Sequence, residues 1–187
     1  MIKDLVRKNR SYRRFFQDFL IDSKTLLDLI DLVRLTATGA NKQSLRFKLI
    51  NKSPETEKVF SCLSWAGYLQ DWNGPAEGEK PSAYIIILND PEIKEKPQYD
   101  VGLACQSILL GAVEKELGGC IFGSVKRDHL KKILNLPPEL DIMLVLALGK
   151  PKEEVVIADV ENDNIKYWRD EDGKHYVPKR KLEDIIL

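Results

Sequence analysis

Tyr84-Ile85-Ile86-Ile87-Leu88 is an unbroken apolar run closed by the turn-forming Asn89-Asp90-Pro91. Side chains alternate between the two faces of a strand, so a run without a polar member has to bury both faces. Such a strand belongs inside a sheet that is covered on each side. Ile142-Met143-Leu144-Val145-Leu146-Ala147-Leu148 repeats the pattern and is expected to stop at Gly149. Leu45-Arg46-Phe47-Lys48-Leu49-Ile50 instead alternates apolar with basic residues, and Cys120-Ile121-Phe122 predicts a short strand.

The covering layers are legible as helices. Leu26, Leu27, Leu29, Ile30 and Val33 share one face at helical spacing, with Asp22 or Ser23 placed to cap, which predicts a helix from 22 to about 37. Val101, Ala104, Cys105, Ile108, Leu109, Ala112 and Val113 mark the strongest helix, expected to end where Leu117-Gly118-Gly119 offers a left-handed terminator. Its small residues Gly102, Ala104, Gly111 and Ala112 permit close approach of another helix, within the chain or across a dimer. Residues 127 to 135 predict a short helix closed by Pro137-Pro138. The order is helix, helix, strand, helix, strand, long helix, strand, helix, strand: an α+β arrangement with a central sheet covered by helices. The polar last forty residues carry a hairpin signal, Tyr167-Trp168 and His175-Tyr176-Val177 around Asp170-Glu171-Asp172-Gly173.

With 187 residues the chain suits a single domain, 1–187, and its 29 basic and 29 acidic residues leave no overall field to attract nucleic acid or an acidic membrane. The N-terminus has no apolar leader, and no uncharged stretch approaches the ~20 residues of a membrane helix, so a soluble, cytoplasmic protein is expected. Cys62, Cys105 and Cys120 are odd in number, far apart and set among apolar neighbours, and read as reduced core residues. His129 and His175 have no ligand at metal-binding spacing and read as surface residues. No P-loop, Rossmann or G-x-S-x-G motif occurs.

Positive charge is local. Lys3, Arg7, Lys8, Arg10, Arg13 and Arg14 face Asp4 alone, and Arg10-Ser11-Tyr12-Arg13-Arg14-Phe15 places a hydroxyl among guanidinium groups. Arg10, Ser11 and Arg13 suit a phosphate ester, which takes charge-assisted donors; the alternative is a solvated basic face on an N-terminal helix. Asn41 and Gln43, with the Thr38 hydroxyl nearby, can meet the donors and acceptors of a heterocycle edge; the alternative is a helix terminus and turn.

These pieces resemble, in order and over nearly the whole chain, the nitroreductase family of FMN-dependent oxidoreductases. Arg10-Ser11-Tyr12-Arg13-Arg14-Phe15 is similar to its R-S-x-R-x-F start, and Leu35 to Phe47 to its A-P-S-x-x-N-x-Q-P-W-R-F segment. Asp100 to Leu110 resembles the dimer-helix pattern D-x-G-x-A-x-Q-N-L-L-L, and Leu117–Gly123 and Ala147–Pro151 resemble its later glycine signatures. Ala37-Thr38 stands where the pattern has Pro-Ser, and Ser44-Leu45 where it has Pro-Trp.

The resemblance implies an α-β-α sandwich with a mainly antiparallel sheet, and a homodimer with FMN at the subunit interface. It also implies a C-terminal arm, about 155–187, that embraces the partner. It assigns the phosphate to Arg10, Ser11 and Arg13, leaves Arg14 facing solvent because the pattern varies there, and assigns the ring edge to Thr38, Asn41 and Gln43. Phe122, Gly123 and Ser124 would pass over the flavin face. Arg180 or Lys179 would return to the phosphate. NADH or NADPH would donate hydride, and a nitroaromatic, quinone or other electron-poor acceptor would then use the same pocket in a ping-pong cycle, without a catalytic side chain or a metal. Trp65, Tyr68 and Trp72 are candidates for the acceptor pocket or for core. Flavin handling or reductive dehalogenation is the second reading, and a non-enzymatic interaction module the third.

Overall fold

The computed structural model describes residues 1–187. A short helix α1 (Ile2–Lys8) and a two-residue strand β1 (Phe15–Phe16) precede helix α2 (Ser23–Leu35) and strand β2 (Leu45–Ile50). Helix α3 (Glu55–Phe60), strand β3 (Ala83–Asn89), the long helix α4 (Gln98–Glu114) and strand β4 (Gly118–Phe122) follow. Helix α5 (Arg127–Ile133) then leads into strand β5 (Asp141–Pro151). Asp22 is the residue that caps α2, accepting from the Thr25 N–H at 2.6 Å.

Every pairing in the main sheet is antiparallel. β3 lies between β2 and β5, with Phe47 opposite Ile87 and Ile86 opposite Val145. β5 also pairs with β4, Cys120 opposite Ala147, and its last residues pair with β1. The period of two in β3 and β5 sorts the core into two layers. Ile85, Ile87, Leu146 and Leu148 meet Leu26 and Leu29 of α2 and Ala104, Cys105 and Ile108 of α4. Tyr84, Ile86, Leu88, Val145 and Ala147 face the other way, onto Val59 of α3 and Leu130 of α5. Each fully buried leucine or isoleucine contributes about 1.5–3 kcal/mol by leaving water, which is why these two apolar runs dictate the three-layer sandwich. Cys62, Cys105 and Cys120 are all buried within these layers.

Two glycine expectations are corrected. The left-handed residue after α4 is Glu116, at φ 58°, while Gly118 and Gly119 already belong to β4. Gly119 is required by proximity: a Cβ there would stand 2.6 Å from the Ala147 carbonyl oxygen. Gly149 does not stop β5, which runs on to Pro151; a Cβ at Gly149 would enter the Phe15 ring. At Gly111 a Cβ would collide with Leu32 of α2, so this small residue of α4 serves packing within the chain. Gly102 meets nothing within 4 Å.

The C-terminal residues form a separate three-stranded sheet. Strand β6 (Val155–Asp159) pairs in parallel with β8 (His175–Lys179), and β8 pairs antiparallel with β7 (Trp168–Arg169). The expected hairpin is present, with Trp168 opposite Tyr176 and Gly173 at φ 81° in its turn. No helix is long and apolar enough to cross a membrane, and no group of three or more His, Cys, Asp or Glu side chains converges as a metal site.

Candidate functional site

A cleft of about 250 Å3 opens between the end of α2 and the start of β2. Its apolar wall is Ile30, Val33, Leu45 and Phe47, and its polar residues include Thr38, Asn41, Gln43, Arg34 and Arg46. The structure therefore brings Thr38, Asn41 and Gln43 into one place. The segment between them leaves α2 at Leu35 and makes a single 3-10 turn, Gly39–Asn41. Ala40, Asn41 and Gln43 all have left-handed backbones, at φ 51°, 52° and 52°. That conformation costs a non-glycine residue roughly 1–2 kcal/mol, Asn least of all, so surrounding contacts must hold it.

Those contacts are specific. The Gly39 N–H donates to Asp100 Oδ1 at 2.9 Å, and Lys94 Nζ donates to Asp100 Oδ2 at 2.6 Å. Burial alone would push the Asp100 carboxyl up, but Lys94 and the Gly39 N–H outweigh it and hold it below the usual carboxylate range. Gln43 Nε2 donates to the Asn41 carbonyl at 3.3 Å, and Arg46 donates to the Gln43 and Leu45 carbonyls at 3.1 and 3.0 Å. Thr38 Oγ1 is buried without a hydrogen-bond partner. An orphaned hydroxyl costs about 1–3 kcal/mol unless something satisfies it, and this one belongs to a residue lining the cleft.

The N-terminal arginines lie elsewhere. Residues beyond α1 leave the helix, so Arg10 to Phe15 is not a helix face: Ser11 bridges to Gly119 of β4, and the Tyr12 N–H donates to the Gly119 carbonyl at 3.0 Å. Ser11 is exposed. Arg10 folds back on α1, donating to the Asn9 and Val6 carbonyls at 2.6 and 3.0 Å. Arg14 is not free in solvent; its guanidinium grips Glu79, the Nε to Oε2 distance being 2.7 Å.

Arg13 is buried and compensated by the C-terminal sheet. Its guanidinium lies 4.6 Å from the Tyr167 ring centroid and 3.2 Å from His175 Nε2. Beside it the buried Glu153 accepts from the backbone N–H groups of Arg13 and Arg14, and from Arg169 at 2.8 Å. Arg169 in turn covers Trp72, 4.2 Å from the ring centroid. His175 is thus corrected from surface residue to fully buried residue. Burial, then the charges of Arg13 and Arg169, push its pKa down to about 4, so the ring is neutral and accepts from Arg13.

Of the remaining candidates, Phe122 points into the core, 4.6 Å from the Trp65 ring centroid, while Gly123 and Ser124 are exposed beyond the end of β4. Trp65 packs on Phe60 and Trp72, and Tyr68 on Tyr167, as an aromatic cluster outside the cleft. Lys179 ends β8, and Arg180 makes an exposed ion pair with Asp163 at 2.8 Å. Neither lines the cleft. Sequence reading missed Arg34, Arg46, Lys94 and Glu153. The first two carried a signal, since Arg34 follows Val33 directly and Arg46 sits three positions after Gln43; Lys94 reaches the loop only through Asp100, and Glu153 acts on Arg13 from 140 positions away.

Residues 70–150 match the model of the Nitroreductase family. A relative from Archaeoglobus fulgidus, provisionally named NADH dehydrogenase/NAD(P)H nitroreductase, is 22% identical over 149 residues, covering 75% of this chain and 80% of its own. A protein of Thermotoga neapolitana named iodotyrosine deiodinase is 25% identical over 174 residues, 82% of this chain and 90% of its own. Among solved structures, an FMN-dependent nitroreductase of Clostridium difficile superimposes with a TM-score of 0.67 at 19% identity, covering 87% of this chain and 92% of that one. The sequence of its central segment is thus similar to the Nitroreductase family, and the architecture of the whole chain is the fold of solved nitroreductases.

Proposed function

We propose that the protein is an FMN-dependent oxidoreductase that takes hydride from NADH or NADPH and passes it to electron-poor acceptors such as nitroaromatics and quinones. It acts as a homodimer with FMN at the subunit interface. The observation that carries this reading is the convergence of Thr38, Asn41 and Gln43 beside the apolar wall of Ile30, Val33, Leu45 and Phe47. A flavin ring has apolar faces and a polar edge of carbonyls and nitrogens, and carboxamides supply both donor and acceptor to that edge. The orphaned Thr38 hydroxyl fits the same ligand.

When bound, FMN supplies hydride acceptance and release at its ring. The chain's own residues orient and polarise. Asn41 and Gln43 fix the ring edge, Arg46 adds positive charge on the same cleft while Arg34 is already paired with Asp31 at 2.6 Å, and such charge favours a reduced, anionic ring. Arg10, Ser11, Lys179 and Arg180 are the proposed phosphate contacts, the Arg13 guanidinium being already held by His175, Tyr167 and the Ser11 carbonyl, and Gly123 and Ser124 are the proposed backbone over the ring face. The cleft of one chain is smaller than the roughly 300–1,000 Å3 of an ordinary ligand pocket. No residue of the Arg10–Arg14 segment lines it, which suits a site completed across a twofold axis. Exposed Leu103 and Tyr99 on α4 and Leu27, Leu32 and Leu35 on α2 supply apolar surface for such an interface.

Titration of the purified protein with FMN, followed by anaerobic addition of NADH or NADPH, tests the proposal. A bound yellow chromophore that bleaches, and sedimentation as two chains, are expected; a colourless protein that ignores added flavin refutes it. The similarity to the Thermotoga protein favours a second reading, reductive dehalogenation. Turnover of a halogenated tyrosine in preference to nitroaromatics and quinones would select it.

A further inference from the structure

Asp100 stands in the first turn of α4 with its side chain 2% exposed, yet its carboxylate reaches the loop of the cleft through the Gly39 N–H at 2.9 Å. The connection from β3 to α4 is built around that contact. Asn89, at the end of β3, donates to the Lys94 carbonyl at 2.9 Å, and Lys94 Nζ meets the other oxygen of Asp100 at 2.6 Å. The same connection holds the far end of the loop, because the Asp90 N–H donates to the Ser44 carbonyl at 3.0 Å. The loop from Thr38 to Ser44 is therefore clamped at both ends by one segment, and its left-handed residues lie between the clamps. A Cβ at Gly39 would stand 2.6 Å from Lys94 Nζ, so a larger residue there would push the ammonium away from its place beside Asp100.

We propose that Asp100, paired with Lys94, is a positioning residue that holds the Thr38–Gln43 loop in the shape that presents Asn41 and Gln43 to the ligand ring. The claim rests on the flavin reading of the cleft for its ligand, and on the carboxylate geometry alone for the loop. Buried and paired, the carboxylate supplies a fixed acceptor that a flexible surface side chain would not. Asp100 touches no ligand, and its effect travels through the Gly39 amide into the 3-10 turn, whose Asn41 N–H to Thr38 carbonyl bond is 3.0 Å.

The test uses Asp100→Ala, which loses the acceptor and the ion pair, and Asp100→Asn, which keeps an acceptor for Gly39 and loses the charge. Amide hydrogen exchange in the ligand-free protein is read at Gly39, Asn41 and Lys42, with the β3 amides as internal control. Asp100→Ala is expected to speed exchange in the loop at least tenfold with β3 unchanged, and Asp100→Asn to recover most of the protection. FMN and riboflavin are then titrated separately. Because the loop reads the ring, both should weaken by the same factor, at least tenfold in Asp100→Ala, whereas a phosphate contact would affect FMN alone.

Loop protection within twofold of wild type in Asp100→Ala overturns the proposal. So does an opened loop that leaves riboflavin affinity within twofold. If Asp100→Ala does not fold, Asp100→Leu, which keeps the bulk and loses the acceptor, is read in its place, and unchanged loop exchange and riboflavin affinity in that variant overturns the proposal. A wild-type protein that binds neither flavin refutes the function proposed above and the ligand half of this claim, while the exchange data still decide whether Asp100 holds the loop.

Discussion

Two regions carry the polar residues that a flavin site would use, and they are in opposite condition. The Thr38–Gln43 loop is open, left-handed and left with an unsatisfied hydroxyl. The Arg13 region is closed: its guanidinium is spent on Tyr167, His175 and a Ser11 carbonyl, and Glu153 ties down the backbone on either side. The contrast teaches that similar donor chemistry can be ready for a ligand or already committed to the fold. Arginine is especially prone to the second fate, since its planar fork can be met by a ring, an imidazole and a carbonyl together.

The comparison breaks most sharply at Glu153. Glu153→Ala leaves Arg169 and two backbone N–H groups unpaired in a buried setting, and is expected to cost about 3–5 kcal/mol, measured by urea unfolding. Flavin binding at the Thr38 cleft should survive in whatever fraction stays folded. An unchanged midpoint would show that the closed region is not a stabilising cluster.

His175 sharpens it next. Its pKa is about 4 in the fold and near 6.5 when unfolded, so the unfolded chain takes up the proton first as pH falls. Stability should be level above about pH 6.5 and decline toward pH 4, by up to about 3 kcal/mol for a shift of that size. His175→Gln should flatten that part of the curve, as thermal unfolding across the range would report. A curve of the same steepness in the variant would place the titration elsewhere.

Arg10 probes the phosphate half of the comparison. Arg10→Ala should weaken FMN by roughly 2 kcal/mol if that contact is desolvated, with riboflavin unaffected. Equal loss of both ligands would move the phosphate away from this segment. The smallest effect belongs to Arg14, whose partly exposed pairing with Glu79 predicts a loss near 1 kcal/mol or less in Arg14→Ala, read by the same unfolding measurement.

Much of the architecture was legible because burial imposes periodicity. The unbroken Tyr84–Leu88 run became a strand buried on both faces, and the long amphipathic pattern from Val101 became α4. Boundaries were less legible. Gly118, Gly119 and Gly149 looked like punctuation, but they are glycine because backbone or ring atoms approach them inside strands. In the candidate site, Thr38, Asn41 and Gln43 were readable together because they are close in sequence and one loop carries them into one cleft.

What the sequence determined by itself is the set of elements and which of their faces are apolar, since both follow from the spacing of neighbouring side chains. Only the tertiary structure decided that Asp100 holds Gly39, 61 positions away, and that His175 is buried against Arg13, 162 positions away. A polar residue looks the same in a local pattern whether water or a distant partner satisfies it. Its protonation, reach and availability to a ligand are fixed only when folding brings that partner within about 3 Å.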